Sequence, residues 1–193
     1  VGEDEEANLL VFFYDVTNYE NLKDRYNDEK TCVGKINIDN YDELIASTSP
    51  EKSMTISAEV DKTIRKWAAK INASINKMKD TQYIMYFQNA YVDGMIESKF
   101  SILDDVRQIE TEADFPMSLS IGIGIGGKNL VTTEEYATAA LDLALGRGGD
   151  QAVIKRMSKI EYYGGKMQTV EKGNKGKSRV VAHALKQLID QSN

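Results

Sequence analysis

The sequence is poor in the residues that build covalent or metal-held frameworks. It has one cysteine, Cys32, and one histidine, His183, in 193 residues. A single cysteine closes no internal disulfide, which suits a reducing compartment. One Cys and one His make no zinc cluster. No apolar run approaches the roughly 20 residues that a membrane span needs, and Leu9–Tyr14 is far too short. The chain opens at Val1 with neither an initiator methionine nor a signal peptide, so it is expected to be a piece of something longer. Of its two prolines, Pro50 falls at a break between helical stretches and Pro116 closes a helix ahead of a strand, and its one tryptophan, Trp67, lies on the apolar face of a helix.

What is present supports one ordinary domain with attachments. Apolar residues make up 41%, enough for a core, and the formal net charge of −6 argues against a general nucleic-acid partner. The charge is uneven. Glu3, Asp4, Glu5 and Glu6 make the start acidic, while Lys166, Lys172, Lys175, Lys177, Arg179 and Lys186 make the end basic, the pattern of a solvated linker.

Hydrophobic period gives the elements. Leu9–Tyr14 reads as a strand, followed by a helix from Asn18 to about Asn27 that Asp15 or Thr17 can cap. A second strand runs through Val33, Ile36 and Ile38. Ile56, Val60, Ile64, Trp67 and Ile71 recur at helical spacing within a helix from about Ser53 to Lys70. Ala73–Met78 and Tyr83–Phe87 form a hairpin about Lys79–Gln82. Helices follow over Ala90–Ser98, capped by Asn89, and over Ile102 to about Glu112. Next come a strand from Met117, a helix Tyr136–Leu145 with Thr132 and Glu135 spaced as a capping box, a strand Gln151–Lys155, a further strand near Lys159–Tyr163, and a helix Ser178–Ile189. This order predicts an α+β domain on a mixed sheet with one central hairpin.

Two stretches draw functional attention. Gly34–Leu44 is a strand that delivers Asp39 to its end and turns directly into a helix, a common frame for a nucleotide or metal site; Asp39 can equally be a helix cap. Gly122-x-Gly124-x-x-Gly127 fits the spacing of a dinucleotide fingerprint, but these glycines alternate with isoleucine inside a strand. They are expected to serve close backbone packing instead. The glycine-rich turn Gly146–Asp150 offers a further cluster, Arg147 and Asp150, whose bland reading is an Arg–Asp pair in a tight turn.

Ile36-Asn37-Ile38-Asp39-Asn40-Tyr41, the hairpin at Lys79–Gln82 and Ser120-Ile121-Gly122 resemble the GGDEF, or diguanylate cyclase, fold. More specifically, four motifs resemble the degenerate GGDEF domain of GdpP-type membrane-anchored cyclic-di-AMP phosphodiesterases. These are Ala140–Ala152, Ser98-Lys99-Phe100-x-Ile102-Leu103-Asp104, Tyr163-Gly164-Gly165-Lys166 and Arg179–Leu185. The resemblance implies a nucleotidyl-cyclase-like (ferredoxin-like) mixed sheet flanked by helices. It divides the chain into a remnant of a PAS domain and connector helix (1–30), the GGDEF-like domain (31–163), and a basic linker with the first helix of a DHH domain (164–193). It implies PAS and DHH/DHHA1 domains of the parent chain as partners, a homodimer, and a parent on the cytoplasmic side of the cell membrane, with no direct membrane contact by this fragment.

An active enzyme of the fold holds two divalent ions between a strand-end Asp and an acid of the hairpin turn. By this resemblance the strand-end ligand position falls on Asn37, and the GGDEF signature on Lys79-Asp80-Thr81-Gln82-Tyr83, so that its acids become Thr81 and Gln82. The Lys expected after the aromatic is Asp42. Cyclase activity is therefore expected to be lost. No cofactor is required; what remains open is weak binding and hydrolysis of ATP with Mg²⁺. The candidates are Asn37, Asp39, Asn40 and Thr81 around the old site, with Asp39 as the metal-facing acid, and Arg147 and Asp150 in the glycine turn.

Overall fold

The computed structural model describes residues 11–111, 113 and 115–164. A six-stranded sheet in the order β2-β3-β1-β4-β5-β6 forms its centre. The strands are β1 (Thr31–Asp39), β2 (Ser74–Lys79), β3 (Gln82–Gln88), β4 (Ser118–Gly124), β5 (Gln151–Lys155) and β6 (Ile160–Gly164). All neighbours are antiparallel except β4 and β5, which α6 (Leu130–Gly146) joins as a parallel crossover. The other helices are α1 (Thr17–Glu29), α2 (Tyr41–Ala46), α3 (Pro50–Lys70), α4 (Val92–Glu97) and α5 (Ile102–Arg107).

Strand alternation sorts the side chains into two layers. On one face, Ile36 and Ile38 of β1, Tyr83, Met85 and Phe87 of β3, and Leu119, Ile121 and Ile123 of β4 pack against α3, α4 and α5 in one continuous core. Trp67 belongs to it, 4% exposed, as its helical spacing predicts. The other face is thinner. There α6 lays Ala137, Ala140 and Ala144 against Val33, Ile84 and Val153. The expectation that the strand glycines permit close packing holds. A Cβ at position 122 would sit 2.2 Å from the Leu141 nitrogen, and one at position 124 would sit 2.0 Å from the Thr133 oxygen. Glycine lets α6 lie directly on β4.

Several elements differ from the sequence reading. Residues 11–16 carry no regular structure, so the strand expected over Leu9–Tyr14 is not formed within the described residues. Among the described residues no strand pairs with its backbone. Asp15 accepts a hydrogen bond from the Thr17 amide at 2.9 Å and settles the start of α1. Asn89 caps no helix; its amide joins the sheet by donating to the Lys30 carbonyl, and a 3₁₀ turn over Asn89–Tyr91 precedes α4. Helix α5 stops at Arg107, although Ile109 stays buried. Helix α6 starts three residues before a Thr132 cap would place it, because Asn129 is its cap: the Asn129 side chain accepts from the Thr132 amide at 2.8 Å. The hairpin at Lys79–Gln82 is present, and β5 and β6 make a second. The helix expected over Ser178–Ile189, His183 and the acidic start lie outside the described residues.

Candidate functional site

The candidate residues gather at one end of the sheet. Asn37 and Asp39 alternate with the core residues Ile36 and Ile38, so they project to the opposite face. The hairpin tip joins them through its backbone, where the Ile38 amide donates to the Thr81 carbonyl at 2.8 Å. Asn40 follows in the left-handed region, with φ 54°, and turns the chain into α2. Asn has a local polar side chain that tolerates this conformation.

Asp39 is not a helix cap, and its carboxylate is fully engaged. The Ser120 hydroxyl donates to it at 2.9 Å, the Ser118 hydroxyl at 3.1 Å, the Asp150 amide at 3.0 Å and the Asn37 side-chain amide at 3.3 Å. One carboxylate thus ties together β1, β4 and the turn that leads into β5. The amide at position 37 suits this role: an acid there would face Asp39 with like charge, whereas Asn37 donates a hydrogen.

The glycine turn closes over this carboxylate. Gly148, Gly149 and Asp150 have φ of 109°, 79° and 56°. At position 149 a Cβ would lie 2.6 Å from an Asp39 oxygen, so only glycine fits there. The two clusters kept apart in the sequence are therefore one. The Arg147–Asp150 pair is not formed, however. Arg147 stacks over the Tyr162 ring at 4.4 Å, and Asp150 pairs with Arg107 of α5, whose Nε and Nη2 both reach Oδ1 at 2.7 Å. Burial pushes the Asp150 carboxyl above its ordinary range, Arg107 pulls it back, and the nearby charge of Asp39 adds to the upward push. Gln151 closes the turn from below, donating to the carbonyls of Ala144 at 3.1 Å and Gly149 at 3.3 Å.

Ser118, Arg107 and Gln151 were not among the sequence candidates. Ser118 and Ser120 carry a signal: they are the small polar alternates of a strand whose other residues are apolar. Arg107 carries none, because its partner lies 43 residues away.

Chemically, the site offers little free capacity. A divalent ion would have to displace four hydrogen-bond donors to reach the Asp39 oxygens, and hard cations need several anionic or carbonyl oxygens at once. Among the described residues, no three His, Cys, Asp or Glu side chains converge on one point. Cys32 is fully buried and burial pushes its thiol up to about 12, which removes it as a nucleophile at neutral pH.

Comparison with known proteins places this geometry. The model of the GGDEF domain of GdpP-like cyclic-di-AMP phosphodiesterases matches residues 36–162. The chain belongs to that family. The GdpP-type match extends beyond the sheet. The cyclic-di-AMP phosphodiesterase GdpP of Geobacillus thermodenitrificans is 35% identical over 185 residues, and that of Bacillus subtilis is 32% identical. Each alignment covers 95% of this chain but 28% of the relative, so the chain spans just over a quarter of the length of these proteins. Among solved structures, the active GGEEF domain of a diguanylate cyclase from Vibrio cholerae superposes with a TM-score of 0.57 at 16% identity, covering 72% of this chain and 90% of that one. The GGDEF domain of DgcB from Caulobacter crescentus, in complex with c-di-GMP, gives 0.56 at 15% identity, covering 80% and 98%. At such identity these two establish a shared fold, and the GdpP-type GGDEF domain here is an α+β member of it.

Proposed function

We propose that this GdpP-type GGDEF domain is a regulatory, non-catalytic module of a cyclic-di-AMP phosphodiesterase. In this reading it relays the state of a PAS domain on its N-terminal side to a DHH/DHHA1 hydrolase on its C-terminal side, in a dimeric parent held at the cytoplasmic face of the membrane. The observation that carries the reading is the state of the strand end. Two-metal nucleotidyl transfer needs free anionic oxygens on both sides of the ions. Here the strand offers the Asn37 amide, which donates into Asp39, and the facing hairpin tip offers Thr81 and Gln82. The remaining acid, Asp39, holds β1, β4 and the glycine turn together.

The same geometry gives ATP–Mg²⁺ no free carboxylate at Asp39.

The test is cyclic-di-AMP hydrolysis by the whole parent protein, with and without residues 31–163. The expected result is hydrolysis that survives the deletion but with altered response to the sensor domain and altered dimer assembly. Unchanged regulation together with unchanged assembly would contradict the proposal.

A further inference from the structure

The turn at residues 146–150 does more than reverse the chain. It leaves α6, lies across Asp39 and enters β5. A Cβ on Gly146 or Gly148 would meet nothing within 4 Å, while Arg147 between them stacks on the Tyr162 ring. Contact with Asp39 is made by Gly149 and Asp150. Gly149 lies directly against Asp39 and Ser120, and the Asp150 amide donates to Asp39. What holds Asp150 down comes from the opposite face of the sheet: the Arg107 guanidinium grips its carboxylate through Nε at 2.7 and 3.0 Å and through Nη2 at 2.7 Å. Both side chains are largely shielded, 19% and 24% exposed. Arg107 is itself positioned by Asp104, one helical turn back on α5. A shielded, forked guanidinium–carboxylate pair is the strongest type of polar contact such a turn can have.

From this arrangement we infer that the 146–150 turn is a cover latched over Asp39 by the Arg107–Asp150 pair, and that it bars divalent cations from that carboxylate. The cation implied by the fold family therefore does not fit here in two respects: the oxygens already accept protein donors, and Gly149 lies against the half-buried carboxylate. The inference concerns access to Asp39 and does not rest on the regulatory reading.

The test uses the full 193-residue chain with Mn²⁺ as the probe. Amide exchange of Gly149, Asp150 and Gln151 is compared in the wild type, Arg107→Gln and Asp150→Asn, alongside Mn²⁺-induced NMR broadening of Asp39, Ser118 and Ser120. Asp150→Asn keeps the backbone donor to Asp39 and serves if Arg107→Gln fails to fold. The expected result is no selective broadening in the wild type. Loss of the latch should accelerate exchange in the turn by about tenfold or more and bring in the broadening. Ser120→Ala removes a donor but leaves the cover, and should stay unbroadened. Selective broadening in the wild type or in Ser120→Ala would overturn the inference. So would a turn that stays closed, or one that opens without admitting Mn²⁺, when the latch is removed.

Discussion

Asp39 illustrates how a carboxylate at a strand end acquires a structural task. Its four donors come from three separate elements, and each loses a partner if the acid is removed. Ser120 is buried, so its hydroxyl cannot be replaced by water without rearrangement. Ser120→Ala is therefore expected to destabilise the fold by roughly 1–3 kcal/mol, measured by urea denaturation. The core face has its own polar contact: Asp61 on α3 accepts from Arg65 Nε at 2.8 Å and from the Tyr83 hydroxyl at 3.0 Å. Partial burial opposes ionisation, but these two bonds win and hold the Asp61 carboxyl below its ordinary range. Because the folded value is the lower one, Asp61 contributes stability that is present above the unfolded value of 3.8 and is lost as pH falls through the folded one. Thermal melts between neutral pH and pH ~3 should show a shallower acid decline in Asp61→Asn than in the wild type.

At the scale of elements, the tightest fit is α6 on β4. The helix offers Ala137 and Leu141 where the strand offers Gly122, and no side chain separates the two backbones. Gly122→Ala places a methyl group 2.2 Å from a backbone nitrogen and 2.4 Å from a backbone oxygen. Neither can rotate away, so the helix must lift. The expected cost is about 1–3 kcal/mol or more, seen as a lower melting temperature with unchanged sheet content by circular dichroism. This element was legible in the sequence, because alternating Gly and Ile in a strand already separates a close-packed face from an apolar one. So were β1, β3 and α3, whose periods are clean, and the first hairpin, which its turn residues and second strand mark although its first strand alternates only weakly. The site was legible only in part. The Thr81 backbone does lie beside the strand that carries Asn37 and Asp39, since β1 and the hairpin tip are adjacent in any sheet that pairs β1 with β3. The joining of Asp39 to Asp150 was not legible: it depends on β4 and β5 running parallel, which returns the chain to the same end of the sheet. The Arg147–Asp150 pairing failed for a related reason. Local proximity favoured Arg147, but the turn bends it outward onto Tyr162 and leaves Asp150 facing α5.

For the whole molecule, the sheet, its helical layers and the family match join a cyclase-type fold to a cyclic-di-AMP phosphodiesterase lineage. Packing holds the core: the apolar face of β1, β3 and β4 is closed by three helices, and the strand ends are tied by Asp39. The central claim is that the architecture is kept while nucleotidyl-transfer chemistry is not. It is tested most directly by incubating the purified chain with GTP and Mg²⁺ or Mn²⁺ and following cyclic-di-GMP by chromatography, with an active diguanylate cyclase alongside. The account predicts no product above the protein-free control. Metal-dependent formation of cyclic-di-GMP, lost in Asp39→Asn while the fold is retained, would contradict it.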